Sequence, residues 1–380
     1  MVKENLFRLL AELVAINSVN PTLARGPGER AIAQKIREHL TSLGISPDVN
    51  TFAPKRANVA AVVPGRGEAP PLLLNAHIDT VGVGGMPNPF TLRQEGDRWY
   101  GRGAYDMKGS VAVMLALAEA WVASPPPGDI YLTFVADEED RSLGMEVLIR
   151  EWLPRYAPPA GAIVLEPTEE QLGVAHKGFA WLEIEVQGVA AHGSRPDEGV
   201  DAILPLGLAL NELRAIQEEL AHRAPHPLLG RASLHASIIE GGEAWCVYPP
   251  RARLGWERRT LPDESLDEIR TELERVLAAV LRPPSRHTAL ARVVFARPPH
   301  QVNRTAWPVR LLKAAGVEEE AGMAYWTDAA LLREAGIPTV LYGPAGHGAH
   351  ADDEWVSGES LVRVYETLQR AAAQMAEVSA

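Results

Sequence analysis

Four apolar, strand-like runs in this chain lead into a histidine or a group of carboxylates. Residues 72–77 end on His77, followed by Ile78-Asp79, and 130–136 runs into Asp137-Glu138-Glu139-Asp140. Residues 161–165 run into Glu166-Pro167, and 339–342 leads to Gly346-His347-Gly348-Ala349-His350. A fifth segment, Gly103-Ala104-Tyr105-Asp106-Met107-Lys108-Gly109, lies just before a helix start. Short apolar runs alternating with helical patterns read as strands of an α/β sheet. Open α/β sheets bind ligands beyond the carboxyl ends of their strands. Segments far apart in sequence can therefore converge on one crevice.

The helical patterns are clear. Leu6, Leu9, Leu10, Leu13 and Val14 follow the 3.6-residue period until Asn17-Ser18-Val19-Asn20-Pro21 breaks it. A long helix over 109–123 is stopped by Pro125-Pro126-Pro127. Near Lys177 the texture changes. Residues 180–187 alternate, with Leu182, Ile184 and Val186 on one side and Trp181, Glu183, Glu185 and Gln187 on the other. The order from here is strand, helix, strand, strand, helix, strand, the ferredoxin-like split arrangement. From about Pro299 the α/β texture returns. We expect one α/β domain made of 1–177 and 299–380, with an α+β ferredoxin-like domain inserted at 178–298.

Charge and composition narrow the chemistry. With 37 Lys and Arg against 49 Asp and Glu in 380 residues, the net charge is −12. That argues against a nucleic-acid or anionic-membrane partner. Cys246 is the only cysteine, so a metal must be held by His, Asp and Glu; there are 11 histidines to draw on. The first residues, Met1-Val2-Lys3-Glu4-Asn5-Leu6, lead into no signal-peptide core. The most apolar stretch, 111–122, contains Glu119 and is too short to span a bilayer. A soluble, cytoplasmic protein is the expectation.

Each segment alone has an ordinary explanation. His77 and Asp79 could be solvated strand-end residues, Asp106 a helix cap, Glu138-Glu139 a solvated acidic loop and His347/His350 a surface turn. Together they match a two-metal hydrolase, in which two cations about 4 Å apart share a carboxylate. Nitrogen and oxygen donors suit zinc, with cobalt or manganese as alternatives. The Glu138-Glu139 doublet offers one carboxylate as ligand and one as general base.

The five segments, in this order, resemble those of the M20 metallopeptidase family, which includes acetylornithine deacetylase, succinyl-diaminopimelate desuccinylase, aminoacylase-1 and glutamate carboxypeptidase-like enzymes. The resemblance runs over nearly the whole chain. It implies a zinc-peptidase-like catalytic domain whose inserted domain is a lid that often dimerises, hence a homodimer. By position, His77, Asp106 and Glu166 look like the ligands of one metal, and Asp106, Glu139 and His350 like those of the second. Glu138 looks like the general base and Asp79 like the residue that orients His77. In the lid, Ala191-His192-Gly193-Ser194 resembles the segment whose histidine reaches across a dimer to the substrate. Glu257-Arg258-Arg259-Thr260-Leu261-Pro262 makes Arg259 the candidate for gripping a substrate carboxylate, with Arg258 competing for the role.

Departures from the family pattern lie at Cys246, Glu257 and Trp326, toward the substrate end. The resemblance implies hydrolysis of an N-acyl amino acid or short peptide, with a dipeptidase or carboxypeptidase as the alternative and a carbamoyl or ureido amidohydrolase third. Cys246 and Trp326 suggest an apolar substrate pocket. A two-metal phosphoesterase needs several basic residues near the metals, and only Lys108 and Arg141 are close in sequence.

Overall fold

The computed structural model describes residues 2–378 and falls into two compact units. The larger comprises 2–174, 302–321 and 327–378, the smaller 175–301 and 322–326. The smaller unit thus takes 175–177, 299–301 and 322–326 in addition to the 178–298 expected from the change of texture.

The larger unit is built on a mixed sheet. Its strand order is Asp48–Ala53, Arg56–Val63, Ile130–Val135, Leu72–His77, Gly161–Val164, Thr339–Leu341 and then residues 172–174, the start of the strand Leu172–His176. The four from Ile130–Val135 to Thr339–Leu341 are parallel, and the remaining pairings are antiparallel. Every residue of the four parallel strands is buried. Covered on both faces, they read as continuous apolar runs rather than alternations. Helix Gly109–Ala123 is apolar nearly all round and buried from Gly109 through Ala118. Helices Val2–Val14 and Gly358–Ala373 pack against it. The first does so with Leu6, Leu9, Leu10, Leu13 and Val14 buried, at roughly 2 kcal/mol per side chain removed from water.

Because the four parallel strands are neighbours, their carboxyl ends lie along one edge. That edge receives His77, the loop beginning at Asp137, Glu166, and the segment running from Gly343 to His350. Close approach needs glycine at Gly343, where a Cβ would lie 2.1 Å from the Glu166 carbonyl oxygen. A second small sheet, ordered Gly346–His347, Trp355–Ser357, Arg98–Tyr100, Arg93–Glu95, was not apparent in the sequence. Strands of two or three residues are too short to show a period.

The smaller unit is a four-stranded antiparallel sheet ordered Ser233–Gly241, Arg251–Thr260, Gly178–Gln187, Thr288–Arg297. Helices Leu204–His222 and Leu266–Val280 join Leu182, Ile184, Val186 and Leu254 in one core. This is the ferredoxin-like arrangement expected. Glu183, on the polar side of its strand, is only 8% exposed, because Arg253 and Arg292 pair with it at 3.0 and 2.7 Å. Among the described residues, no helix is long and apolar enough to cross a membrane.

Candidate metal centre

His77 ends its strand almost fully buried. Its Nδ1 lies 3.1 Å from the backbone oxygen of Asp79, and its Nε2 lies 3.0 Å from Asp106 Oδ1. A carbonyl oxygen only accepts, so Nδ1 carries a proton and Nε2 is the atom turned into the site. The Asp79 carboxylate is 3.6 Å from Nδ1, beyond hydrogen-bond length. It is engaged elsewhere. Asp79 Oδ1 accepts from the Glu138 N–H at 3.1 Å and Oδ2 from the Glu139 N–H at 3.2 Å. The side chain expected to orient the histidine instead fixes the backbone of both glutamates, and the Asp79 carbonyl meets the imidazole.

Asp106 lies in the turn before the Gly109–Ala123 helix, and its peptide bond to Met107 is cis. Its two oxygens face two histidines: Oδ1 faces His77, and Oδ2 lies 3.3 Å from His350 Nε2. The same His350 nitrogen is 2.9 Å from Glu139 Oε2. His77 and His350, 273 positions apart, thus meet on one carboxylate. His347, the other histidine of that loop, is exposed and turned toward Trp355 and Asp353.

What holds this turn is not visible in the sequence around it. Glu354, 1% exposed, accepts from the N–H groups of Gly103, Tyr105 and Asp106 at 3.0, 2.9 and 3.1 Å. Arg102 pairs with the same carboxylate at 2.7 Å. Tyr105 donates its hydroxyl to Glu169, which also accepts from the Gly346 N–H at 3.2 Å. That links the Asp106 turn to the start of the loop carrying His350. Arg56 was missed as well, Asp137 had been noted only as one of four acids in a row, and Asn20 had marked only the end of a helix.

The electrostatics describe a cluster with too many acids for its own cations. Burial, then the neighbouring charge of Glu166, holds the Glu138 carboxyl well above the usual range. Burial also pushes up Glu166, aided by Asp106 and Asp328 and opposed by His77. Glu139 is raised by burial and Asp106. Asp106 goes the other way: burial opposes its charge, but hydrogen bonds to His350 and His77 outweigh it. Hydrogen bonds to Asp106 and Glu139 push His350 up to about 10. His77 is raised too, its burial overcome by Asp106 and the nearby glutamates.

Among the described residues, two donor groups have ligand atoms all within 4.8 Å of one another: His77, Glu138 and Glu166, and His77, Asp106 and Glu139. The buried Glu139 Oε1 has no hydrogen-bond partner. Imidazole and carboxylate donors without thiols, with negative charge in excess, fit hard or borderline divalent cations. A cation would offset the mutual repulsion of the crowded carboxylates.

The candidates in the smaller unit are placed differently. His192 is exposed, and its Nδ1 accepts from the Ser194 N–H at 3.2 Å, leaving the ring proton on Nε2. Arg259 donates from Nε to Glu257 at 2.6 Å and lies over the Phe179 ring. Arg258, the competitor, is buried in ion pairs with Glu264 and Glu272 and serves the interior of its unit. Cys246 is exposed, whereas Trp326 packs edge-on against Phe179 and His176 and donates to the Pro298 oxygen at 3.0 Å. Lys108, considered above as a phosphate-binding group, is fully buried and donates to the Leu13 and Ile16 carbonyls at 3.2 and 2.8 Å.

Histidine and carboxylate donors gathered at parallel strand ends, in a chain with a ferredoxin-like second unit, define a metal-dependent hydrolase. The chain belongs to the peptidase family M20/M25/M40, whose model matches residues 73–374, and it is a hydrolase acting on amide bonds. It is 30% identical over 327 residues to acetylornithine deacetylase of Myxococcus xanthus, covering 84% of each chain. Its fold is similar to that of an M20-family metallo-carboxypeptidase from Sulfolobus solfataricus. That match has a TM-score of 0.78 and 17% identity, over 98% of this chain and 99% of the other. A dinuclear metal-binding peptidase of the M20 family from Bacillus subtilis matches with a TM-score of 0.75 and 16% identity, over 99% of each chain.

Proposed function

We propose that this protein releases an amino acid from an N-acyl amino acid, or from a short peptide with a free carboxylate, using two divalent cations. The observation that carries this reading is the Asp106 carboxylate, one oxygen toward His77 and the other toward His350 and its partner Glu139. In this reading His77, Asp106 and Glu166 hold one ion, and Asp106, Glu139 and His350 hold the other. Two cations there, zinc by donor type with cobalt or manganese as alternatives, supply polarisation of the scissile carbonyl and acidification of the attacking water.

The protein's own groups do the rest. Glu138 takes the proton of the attacking water onto a carboxylate oxygen as the new C–O bond forms. It returns that proton to the leaving nitrogen as the C–N bond breaks. Burial and the charge of Glu166 raise its affinity for a proton. Asp79 keeps the glutamate backbone in place, and His77 Nδ1 is fixed by the Asp79 carbonyl. Arg259 binds the substrate carboxylate, exchanging Glu257 for it. His192 Nε2–H stabilises the tetrahedral oxyanion, and in a homodimer does so for the partner subunit.

The relative from Myxococcus xanthus is named for acetylornithine, so acetyl amino acids lead the test. Amine release is measured from acetyl, succinyl and formyl amino acids and from dipeptides, with Zn²⁺, Co²⁺ or Mn²⁺. Cleavage of acylated amino acids supports the reading, and cleavage confined to dipeptides makes the protein a peptidase. No cleavage by fully metal-loaded protein would refute it. Mixing Glu138→Ala with His192→Ala subunits tests the dimer. Recovered activity supports a shared site, and none despite proven exchange refutes it.

A further inference from the structure

Beneath the acidic loop lies a buried polar network outside the donor cluster. Asn20, fully buried, donates from Nδ2 to Asp79 Oδ2 at 2.8 Å and to Asp137 Oδ1 at 3.1 Å. Its Oδ1 accepts from the N–H groups of Thr22 and Leu23 at 3.0 and 3.2 Å and from Arg56 Nη2 at 3.1 Å. Arg56 is paired with Glu29 and Asp137 and is 5% exposed. Asp137, at φ 72, holds a backbone conformation that L side chains rarely adopt.

The chemistry at Asn20 admits only an amide. Its donor side faces two carboxylates and its acceptor side faces two N–H groups and a guanidinium. An aspartate of the same shape would keep the acceptor side and turn the donors into a third negative charge against Asp79 and Asp137. Asp79 is the group that fixes the Glu138 and Glu139 N–H groups. We infer that Asn20 is a positioning residue: by holding Asp79 it sets the placement of Glu138 and Glu139, and with Arg56 it ties the active loop to the segment after the first helix. This inference rests on the assignment of Glu138 and Glu139 to the site.

The test compares Asn20→Asp with wild type in three readouts: zinc affinity by chelator competition, the kcat and KM of the zinc-loaded enzyme, and the melting temperature of the metal-free protein. Val364→Ala, a cavity in the core face of the Gly358–Ala373 helix, serves as a stability control. The expected result is zinc binding weakened about tenfold or more and kcat lowered about tenfold or more, with KM within about twofold. Asn20→Ser, which adds no charge, should show the same pattern at smaller amplitude and replaces Asn20→Asp if that variant does not fold. Wild-type zinc affinity and kcat in the Asn20 variant would overturn the inference. So would losses that Val364→Ala reproduces at an equal fall in melting temperature. Glu138→Gln and Glu139→Gln run in parallel. If both keep wild-type turnover and zinc affinity, the underlying site assignment fails; if they are impaired while the Asn20 variants are not, only this inference fails.

Discussion

The donor cluster of the larger unit and the substrate candidates of the smaller unit are built on opposite principles. His77, Asp79, Asp106, Glu138, Glu139 and Glu166 stand at or beside the ends of buried strands or in a turn clamped by Glu354. His350 alone has a half-exposed side chain. His192 and Arg259 sit on exposed or partly exposed positions and are paired locally, with Ser194 and Glu257. Reaction chemistry needs fixed distances and is placed where packing enforces them. A group that must exchange one partner for another when substrate binds would instead be left near the surface.

The largest effect should come from the buried side of this contrast. Glu138→Gln is isosteric and should lower kcat by at least about 10²-fold while retaining both metals, whereas Glu139→Gln should release one. Metal analysis beside steady-state kinetics decides it; a Glu138→Gln protein that lost its metal and regained activity in excess metal would exchange the two roles.

Next in size is the surface side. Arg259→Ala should cost about 2–4 kcal/mol in kcat/KM, roughly 30- to 10³-fold, for a substrate with a free carboxylate. It should cost little for the corresponding amide. Equal wild-type rates on acid and amide would remove Arg259 from recognition.

A pH measurement sharpens the contrast inside the cluster. Without metal His350 keeps its proton up to about 10, above its ordinary 6.5. Its stabilising contribution is fully present below 6.5 and is lost as the pH rises through about 10. A metal must displace that proton, so apparent affinity should rise by at least about tenfold per pH unit up to that point, and more where His77 and the raised glutamates release protons too. Calorimetry in buffers of different ionisation enthalpy reads the proton released. His350→Gln should reduce the slope by one proton, and an unchanged slope would exclude His350 as a ligand.

The smallest effect belongs to the smaller unit's own stability. Ser265 caps the Leu266–Val280 helix by accepting from the Glu268 N–H at 3.2 Å. Ser265→Ala should cost about 1 kcal/mol in denaturant unfolding, with metal affinity unchanged. A fall in metal affinity would mean that the centre depends on that helix.

Where sequence and fold agree, the reason is local. Residues 72–77, 130–135 and 161–164 are buried on both sides, so their apolar runs and the polar residues ending them can be read directly. The ferredoxin-like unit shows itself through the alternation at Leu182, Ile184 and Val186. Glu354, Arg56 and Asn20 were not legible, because nothing near them in sequence indicates their partners. Glu354 meets Asp106 across 248 positions, and Asn20 meets Asp137 across 117. The resemblance implied that Asp79 orients His77. The structure uses the Asp79 carbonyl instead, because the carboxylate holds the neighbouring loop.

Zinc-edge anomalous diffraction from crystals of the zinc-loaded protein tests the central claim most directly. His77, Glu138 and Glu166 lie close enough to bind a metal by themselves, which makes Glu138 the residue to watch. Two peaks about 3.5–4 Å apart are expected. Asp106 should lie between them, His77 and Glu166 on one ion, Glu139 and His350 on the other, and Glu138 bound to neither. A single peak ligated by His77, Glu138 and Glu166 would contradict it.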